Sequence, residues 1–248
     1  MTDVYKGLKR FRDYQNNTNI SIRNKYLYCA VDKVANSTIK ALLYKIEYGE
    51  VWKENYIDRK SLREKRLSPL LSPFQLPSDL LDEVYKSDGY KRFCFVRNPY
   101  SRLLSCYLDR IADRRSFPSR EVYDALGKSE ELVTFKEFIE LVCEQNSVKQ
   151  NSHWRRQVDD VMLCKIKFDF VGKFENLNND LLCVSKLVFG DILPELLDLG
   201  INYSPSKTNA SDKLYEWYDQ YLESLVYESY KQDFEAFGYD RLVFNSCS

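Results

Sequence analysis

Two short stretches of this chain carry residue types that grip an anion. The first is Asp32-Lys33-Val34-Ala35-Asn36-Ser37-Thr38. A lysine followed by hydroxyl side chains at the start of a helix offers a mobile positive charge, hydroxyl donors and the free N–H groups of a first helical turn. Such a loop could hold a phosphate or a phosphosulfate. The same residues also suit a plain helix cap, with Asn36 or Ser37 bonded to the backbone and Lys33 solvated. The second stretch runs from Arg97 to Ser105, Arg-Asn-Pro-Tyr-Ser-Arg-Leu-Leu-Ser. An arginine fork can grip a phosphate, and a serine eight residues on would meet the same group if a strand end and a helix face converge. The alternative is a structural salt bridge at Arg97 and a buried Ser105. His153 is the only histidine, and its imidazole titrates where a general base is needed.

The elements around these residues have a regular order. Tyr26–Val31 and Phe93–Val96 are nearly continuous apolar runs, the mark of strands buried on both faces of a parallel sheet. Each is followed by a loaded loop and then a helix. The first helix begins near Ser37 with Ile39, Leu42, Leu43 and Ile46 in step. The second carries Tyr100, Leu103, Leu104, Tyr107, Leu108 and Ile111 on one face. A short helix is expected near Ser78–Tyr85, within a loop-rich stretch from 50 to 90. Thr134-Phe135-Lys136-Glu137 has capping-box spacing. Phe168–Gly172 reads as a third strand, with a helix over Asn178–Val188 and helices from Lys213 onward, whose Tyr218, Tyr221 and Phe234 are expected in the core. Strand–helix alternation predicts an α/β fold: a single domain over 26–248 with a central parallel sheet flanked by helices, preceded by a helical or loose arm over 1–25. Ligands of such sheets bind beyond the carboxyl ends of the strands, where both loaded loops fall.

Composition narrows the class. The 248 residues hold 37 Lys+Arg and 37 Asp+Glu, so the formal net charge is zero. A nucleic-acid partner is not expected, because a general binder shows a basic excess. No apolar run approaches the roughly 20 residues of a membrane helix, and Met1–Lys6 lacks the apolar region of a signal peptide. The seven cysteines include no C-x-x-C pair and read as reduced, mostly buried thiols of a cytoplasmic protein. With one histidine, a metal site is not expected. A nucleoside triphosphatase is disfavoured too. No glycine lies between Gly7 and Gly49, so a Walker loop is missing, and the second strand ends in Arg97, not in a magnesium-binding aspartate.

Cys29–Lys40 resembles the 5′-phosphosulfate loop, and Phe95–Tyr107 the 3′-phosphate motif, of the carbohydrate sulfotransferases that use PAPS (3′-phosphoadenosine 5′-phosphosulfate). The chondroitin and HNK-1 enzymes are of this family. His153-Trp154-Arg155-Arg156-Gln157 is similar to its His-Trp-x-Pro-Gln segment, with Arg156 in place of proline. Phe168–Leu177 and Tyr230–Tyr239 resemble its later motifs, in family order. One departure is Asp32, where the family usually has proline before the lysine.

The resemblance implies a P-loop nucleotide-kinase-like sulfotransferase fold and a sulfonate transfer from PAPS, without a metal, to a carbohydrate or glycoconjugate hydroxyl. By family analogy Lys33 contacts the bridging oxygen, while Val34, Ala35, Asn36, Ser37 and Thr38 hold the 5′ side. Arg97 and Ser105 hold the 3′-phosphate. His153 is the candidate base, with Glu175 or Asp113 as substitutes, and Trp154, Arg155 and Arg156 suit a sugar face and an anionic acceptor. The alternatives are a catalytically inactive PAPS- or nucleotide-binding module of the same fold, and a sulfotransferase for a small non-sugar acceptor. Animal members carry a membrane anchor and Golgi disulfides; no anchor is read in this sequence, so a bacterial cytoplasmic enzyme is expected, with a truncated piece of a longer protein as the alternative.

Overall fold

The computed structural model describes residues 4–49, 68–112, 116–129, 131–193 and 208–244. After helix α1 (Phe11–Asn17), strand β1 (Thr18–Ser21) turns back into β2 (Tyr26–Cys29), which leads to helix α2 (Asn36–Tyr48). Helix α3 (Ser78–Lys86) precedes β3 (Lys91–Val96). Helix α4 (Pro99–Cys106) follows β3 and runs into a π-helical turn, Tyr107–Ile111. Helices α5 (Phe117–Ala125), α6 (Phe135–Glu144) and α7 (Gln157–Asp160) come next. Strand β4 (Phe170–Lys173) then leads to helix α8 (Leu177–Phe189). The chain closes with α9 (Leu214–Trp217), α10 (Gln220–Ser229) and α11 (Lys231–Phe237).

The strands form one sheet in the order β1-β2-β3-β4. β2, β3 and β4 are parallel, with Cys29 opposite Cys94 and Val96 opposite Lys173, so their carboxyl ends lie along one edge. Every residue of β2, and all of β3 after Lys91, is buried, which is why Tyr26–Cys29 and Phe93–Val96 read as apolar runs; Arg92 is buried as well, donating to Asp169 and to the Tyr85 carbonyl. The expected parallel sheet is therefore present, with an antiparallel strand on its edge. That strand lies in the expected arm. Thr18, Asn19 and Ser21 are buried although polar, and Asn19 Nδ2 donates to the carbonyls of Asn17 and Tyr28. A strand held by such bonds has no apolar signature.

Two hydrophobic clusters share the interior. One surrounds the sheet, with Tyr28 stacked on Phe93 at 5.2 Å. The other packs α4, α6 and the C-terminal helices around Trp154, Phe138 and Tyr230. Thr134 and Glu137 form the expected capping box of α6. Tyr218 and Phe234 are buried as expected, but Tyr221 is 53% exposed and its hydroxyl donates to Glu140. It sits on the outer face of α10, where the helical stripe runs out of core. Cys29, Cys94 and Cys106 are buried free thiols, whereas Cys164 and Cys183 are exposed. The loop-rich reading of 50–67 lies outside the described residues.

Candidate donor and acceptor site

The lysine loop leaves β2 in a contorted backbone. Lys33 (φ 69°) and Ala35 (φ 48°) are both left-handed without being glycine, a conformation costing about 1–2 kcal/mol per residue. Such loops turn successive N–H groups inward as an anion cradle. No side chain caps α2. Its first intrahelical bond runs from Ile39 N–H to Ala35 C=O, so the N–H groups of Asn36, Ser37 and Thr38 precede the helical ladder. Asn36 Oδ1 is buried with no hydrogen-bond partner. The simple cap reading is thus not what this loop adopts.

Arg97 joins this loop to the next. Its Nη1 donates to the Lys33 carbonyl at 3.2 Å and its Nε to Ser101 Oγ at 2.9 Å. Its guanidinium lies 4.1 Å over the Phe174 ring, just past β4. Burial lowers the Arg97 pKa to about 10, opposed by Glu175, and leaves it charged at neutral pH. Asn98 caps α4 by accepting from Tyr100 and Ser101, with Pro99 in the first turn. Ser105 stands one turn beyond Ser101 on the same helical face, buried and accepting from Thr208 Oγ1 at 3.3 Å.

Gln157 and Asp233 continue the connection. Gln157 Oε1 accepts from the Arg97 N–H at 2.9 Å, and its Nε2 donates to the Arg97 carbonyl at 2.7 Å. Asp233 accepts from the N–H groups of Gln157 and Val158 at 2.8 and 2.9 Å. Burial raises its carboxyl to about 6 against these bonds. Segments from four separate parts of the sequence are therefore one hydrogen-bonded chain: Lys33, Arg97, Gln157, Asp233.

Lys33 Nζ donates to Asp109 Oδ2 at 2.7 Å, and Asp109 also pairs with Arg110 at 2.9 Å. Asp109 sits on the π-helical turn, a distortion that often re-aims side chains at functional sites. His153 stands nearby. Asn151 Nδ2 donates to Glu121 at 3.0 Å, which leaves Asn151 Oδ1 to face the ring at 2.8 Å from His153 Nδ1. An amide oxygen only accepts, so Nδ1 carries the proton and Nε2 keeps its lone pair. Burial lowers the His153 pKa, reinforced by Arg110, Lys33 and Arg102 and opposed by Asp32. The ring is neutral at neutral pH.

The chain matches the Sulfotransferase family over residues 16–240. It belongs to that family. The chain is 28% identical to mouse carbohydrate sulfotransferase 14 over 65% of its own length and 43% of the relative's. It is 26% identical to carbohydrate sulfotransferase 12 of Xenopus laevis, over 88% and 59%. It is 25% identical to rat carbohydrate sulfotransferase 11, over 87% and 65%. The chain thus spans between 43% and 65% of the length of these relatives. No solved structure matches. The animal relatives overturn the expectation of a bacterial, cytoplasmic enzyme. Among the described residues no helix is long and apolar enough to cross a membrane, and no cluster of residues could hold a metal ion.

The acceptor-side residues need correction. Trp154 is 1% exposed, its Nε1 donates to Gln145, and its ring meets Phe138 edge-on at 5.9 Å. Arg155 is fully buried, with its donors spent on Asp13, Asp160 and the carbonyls of Ser147 and Gln150. Neither has a free face for a sugar; both belong to the interior. Arg156 keeps a partly exposed side chain, paired with Asp159 at 2.9 Å. Glu175 accepts from the Asn98 N–H and from Tyr239, bonds that hold the Arg97 loop. Asp113 lies outside the described residues.

Arg102, Asn151 and Asp109 join the site without standing out in the sequence as candidates. Arg102 is 1% exposed. Its Nε donates to Asp32 O at 3.0 Å, Nη1 to Arg155 O at 2.6 Å and Nη2 to Ser152 O at 2.8 Å, with Asp160 3.5 Å away. One guanidinium thus ties the lysine loop to the His153 segment. The available signal was an arginine set into the apolar stripe of α4.

Proposed function

We propose that this sulfotransferase moves a sulfonate group in line from PAPS to a hydroxyl of a carbohydrate or glycoconjugate. The observation that carries the reading is the meeting of the two anion-gripping loops, with Arg97 bonded to the Lys33 carbonyl. The residues fit such a donor. An uncapped helix start and a left-handed cradle suit its 5′-phosphosulfate, with Val34 and Ala35 supplying backbone and Asn36, Ser37 and Thr38 supplying N–H groups and side chains. Arg97 and Ser105 suit its 3′-phosphate. The relatives' names supply the acceptor class.

The chemistry asks for positioning and for charge neutralisation. The acceptor oxygen forms its bond to sulfur as the bond between sulfur and the 5′-phosphate oxygen breaks. His153 Nε2 takes the acceptor's hydroxyl proton. Lys33 Nζ exchanges Asp109 for the departing phosphate oxygen and neutralises its charge. Arg156, partly exposed beside Asp159, is the cation assigned to an acceptor.

Incubation with sulfur-labelled PAPS and a panel of glycans and small phenols tests the reading. Label on a glycan, reduced at least about 100-fold in Lys33→Ala and in His153→Ala, is the expected result. Label on a phenol alone would move the acceptor to a small molecule. Donor binding with no labelled product from any acceptor would leave an inactive binding module and overturn the enzymatic reading.

A further inference from the structure

Asp32 immediately precedes Lys33 in the donor loop. A carboxylate beside an anion loop would repel the donor if it faced the loop. It faces the other way. Asp32 Oδ2 accepts from Ser152 Oγ at 2.6 Å and lies 3.8 Å from His153 Nδ1. Its own carbonyl is held by Arg102, so the carboxylate is fixed from both ends. Burial alone would raise its pKa, but His153, the Ser152 bond, Lys40 and Arg102 hold it at about 2, so it is ionised.

The need for it follows from the charges around the ring. Lys33 comes from the same loop, Arg102 from α4 and Arg110 from the π-helical turn, and all three disfavour an imidazolium. Asp109, on that turn, is paired with Lys33 and Arg110. Glu121 of α5 is engaged by Asn151 and Arg10. Lys40 supports the charge on Asp32. The carboxylate beside the protonated nitrogen is that of Asp32.

We propose that Asp32 is a positioning residue for His153: with Ser152 as its anchor, it supplies the countercharge that stabilises the imidazolium formed when Nε2 takes a proton. Asn151 fixes the tautomer and Asp32 sets the basicity, a division of work like that of a carboxylate behind a catalytic histidine. The inference rests on the reading of His153 as the base. It makes the donor loop and the base one unit, so that a residue adjoining Lys33 tunes the group that deprotonates the acceptor.

Because His153 is the only histidine, long-range proton–nitrogen NMR reads its two ring nitrogens without interference. In the full chain the neutral ring is expected with the proton on Nδ1. Asp32→Asn should lower the His153 pKa by about one pH unit, the effect of removing an opposite charge at this range. Ser152→Ala, which only loosens the carboxylate, should lower it less, and Asp32→Glu should restore part of the loss. A His153 pKa unmoved in Asp32→Asn overturns the proposal; if that variant does not fold, an unmoved pKa in Ser152→Ala does so. Titration of 3′-phosphoadenosine 5′-phosphate into the same samples keeps the two readings apart. Loss of that binding in wild type would count against the donor site and leave the NMR result standing.

Discussion

Arg102→Lys tests whether one guanidinium holds the donor loop against the His153 segment. The arginine reaches three carbonyls, on Asp32, Ser152 and Arg155, and stands 3.5 Å from the Asp160 carboxylate. A lysine keeps the charge but concentrates its donors at one point, so it can satisfy one carbonyl and approach Asp160. Two carbonyls, buried or partly buried, then lose that donor. Each costs about 1–3 kcal/mol, for a loss of roughly 2–6 kcal/mol. In a domain of this size, 1 kcal/mol shifts the melting temperature by about 2–4 °C, so a drop on the order of 5–20 °C is expected. The assay is thermal unfolding followed by circular dichroism. A melting temperature within about 1 °C of wild type would refute the reasoning, because it would mean that the fork's geometry, as distinct from its charge, does nothing.

Two further outcomes follow from the packing and the charges. A Cβ built on Gly172 would lie 2.4 Å from Phe95 Cε1, and that ring is fully buried, so Gly172→Ala should cost about 1–3 kcal/mol in urea unfolding; an unchanged midpoint would show that the ring yields freely. Asp32 is held at about 2, below its ordinary 3.8. Its contribution is therefore complete above pH 4 and is lost as the pH falls toward 2. Asp32→Asn should flatten that part of the stability–pH curve, and an identical curve would contradict the assignment.

The sequence reveals the parallel strands because β2 and the Phe93–Val96 part of β3 are apolar on both faces, and the donor loops because a lysine or an arginine stands just past a strand end. β1 escapes such a reading: Thr18, Asn19 and Ser21 are interior through hydrogen bonds, and polarity argues for the surface. Trp154 and Arg155 mislead in the opposite direction. An indole beside two arginines looks like a sugar platform, but Phe138 packs on the indole and Asp13, 142 residues from Arg155, pairs with that arginine, so both side chains are interior. Asp32 is visible in sequence only as an unfavourable charge. Its partner Ser152 is 120 residues away, and a departure from a motif becomes intelligible only when the fold brings that partner in. Asn151 is hidden for a similar reason: its hold on the His153 tautomer depends on Glu121, 30 residues away.

The central claim is that the Lys33 loop and Arg97 form one site for a nucleotide carrying phosphates at both 3′ and 5′ positions. The most direct measurement is calorimetric titration of 3′-phosphoadenosine 5′-phosphate into wild type and Arg97→Ala, with AMP as control. The account predicts tight binding to wild type, a loss of at least about tenfold in the variant, and little binding of AMP. Equal affinity for AMP, or undiminished binding by Arg97→Ala, would contradict it.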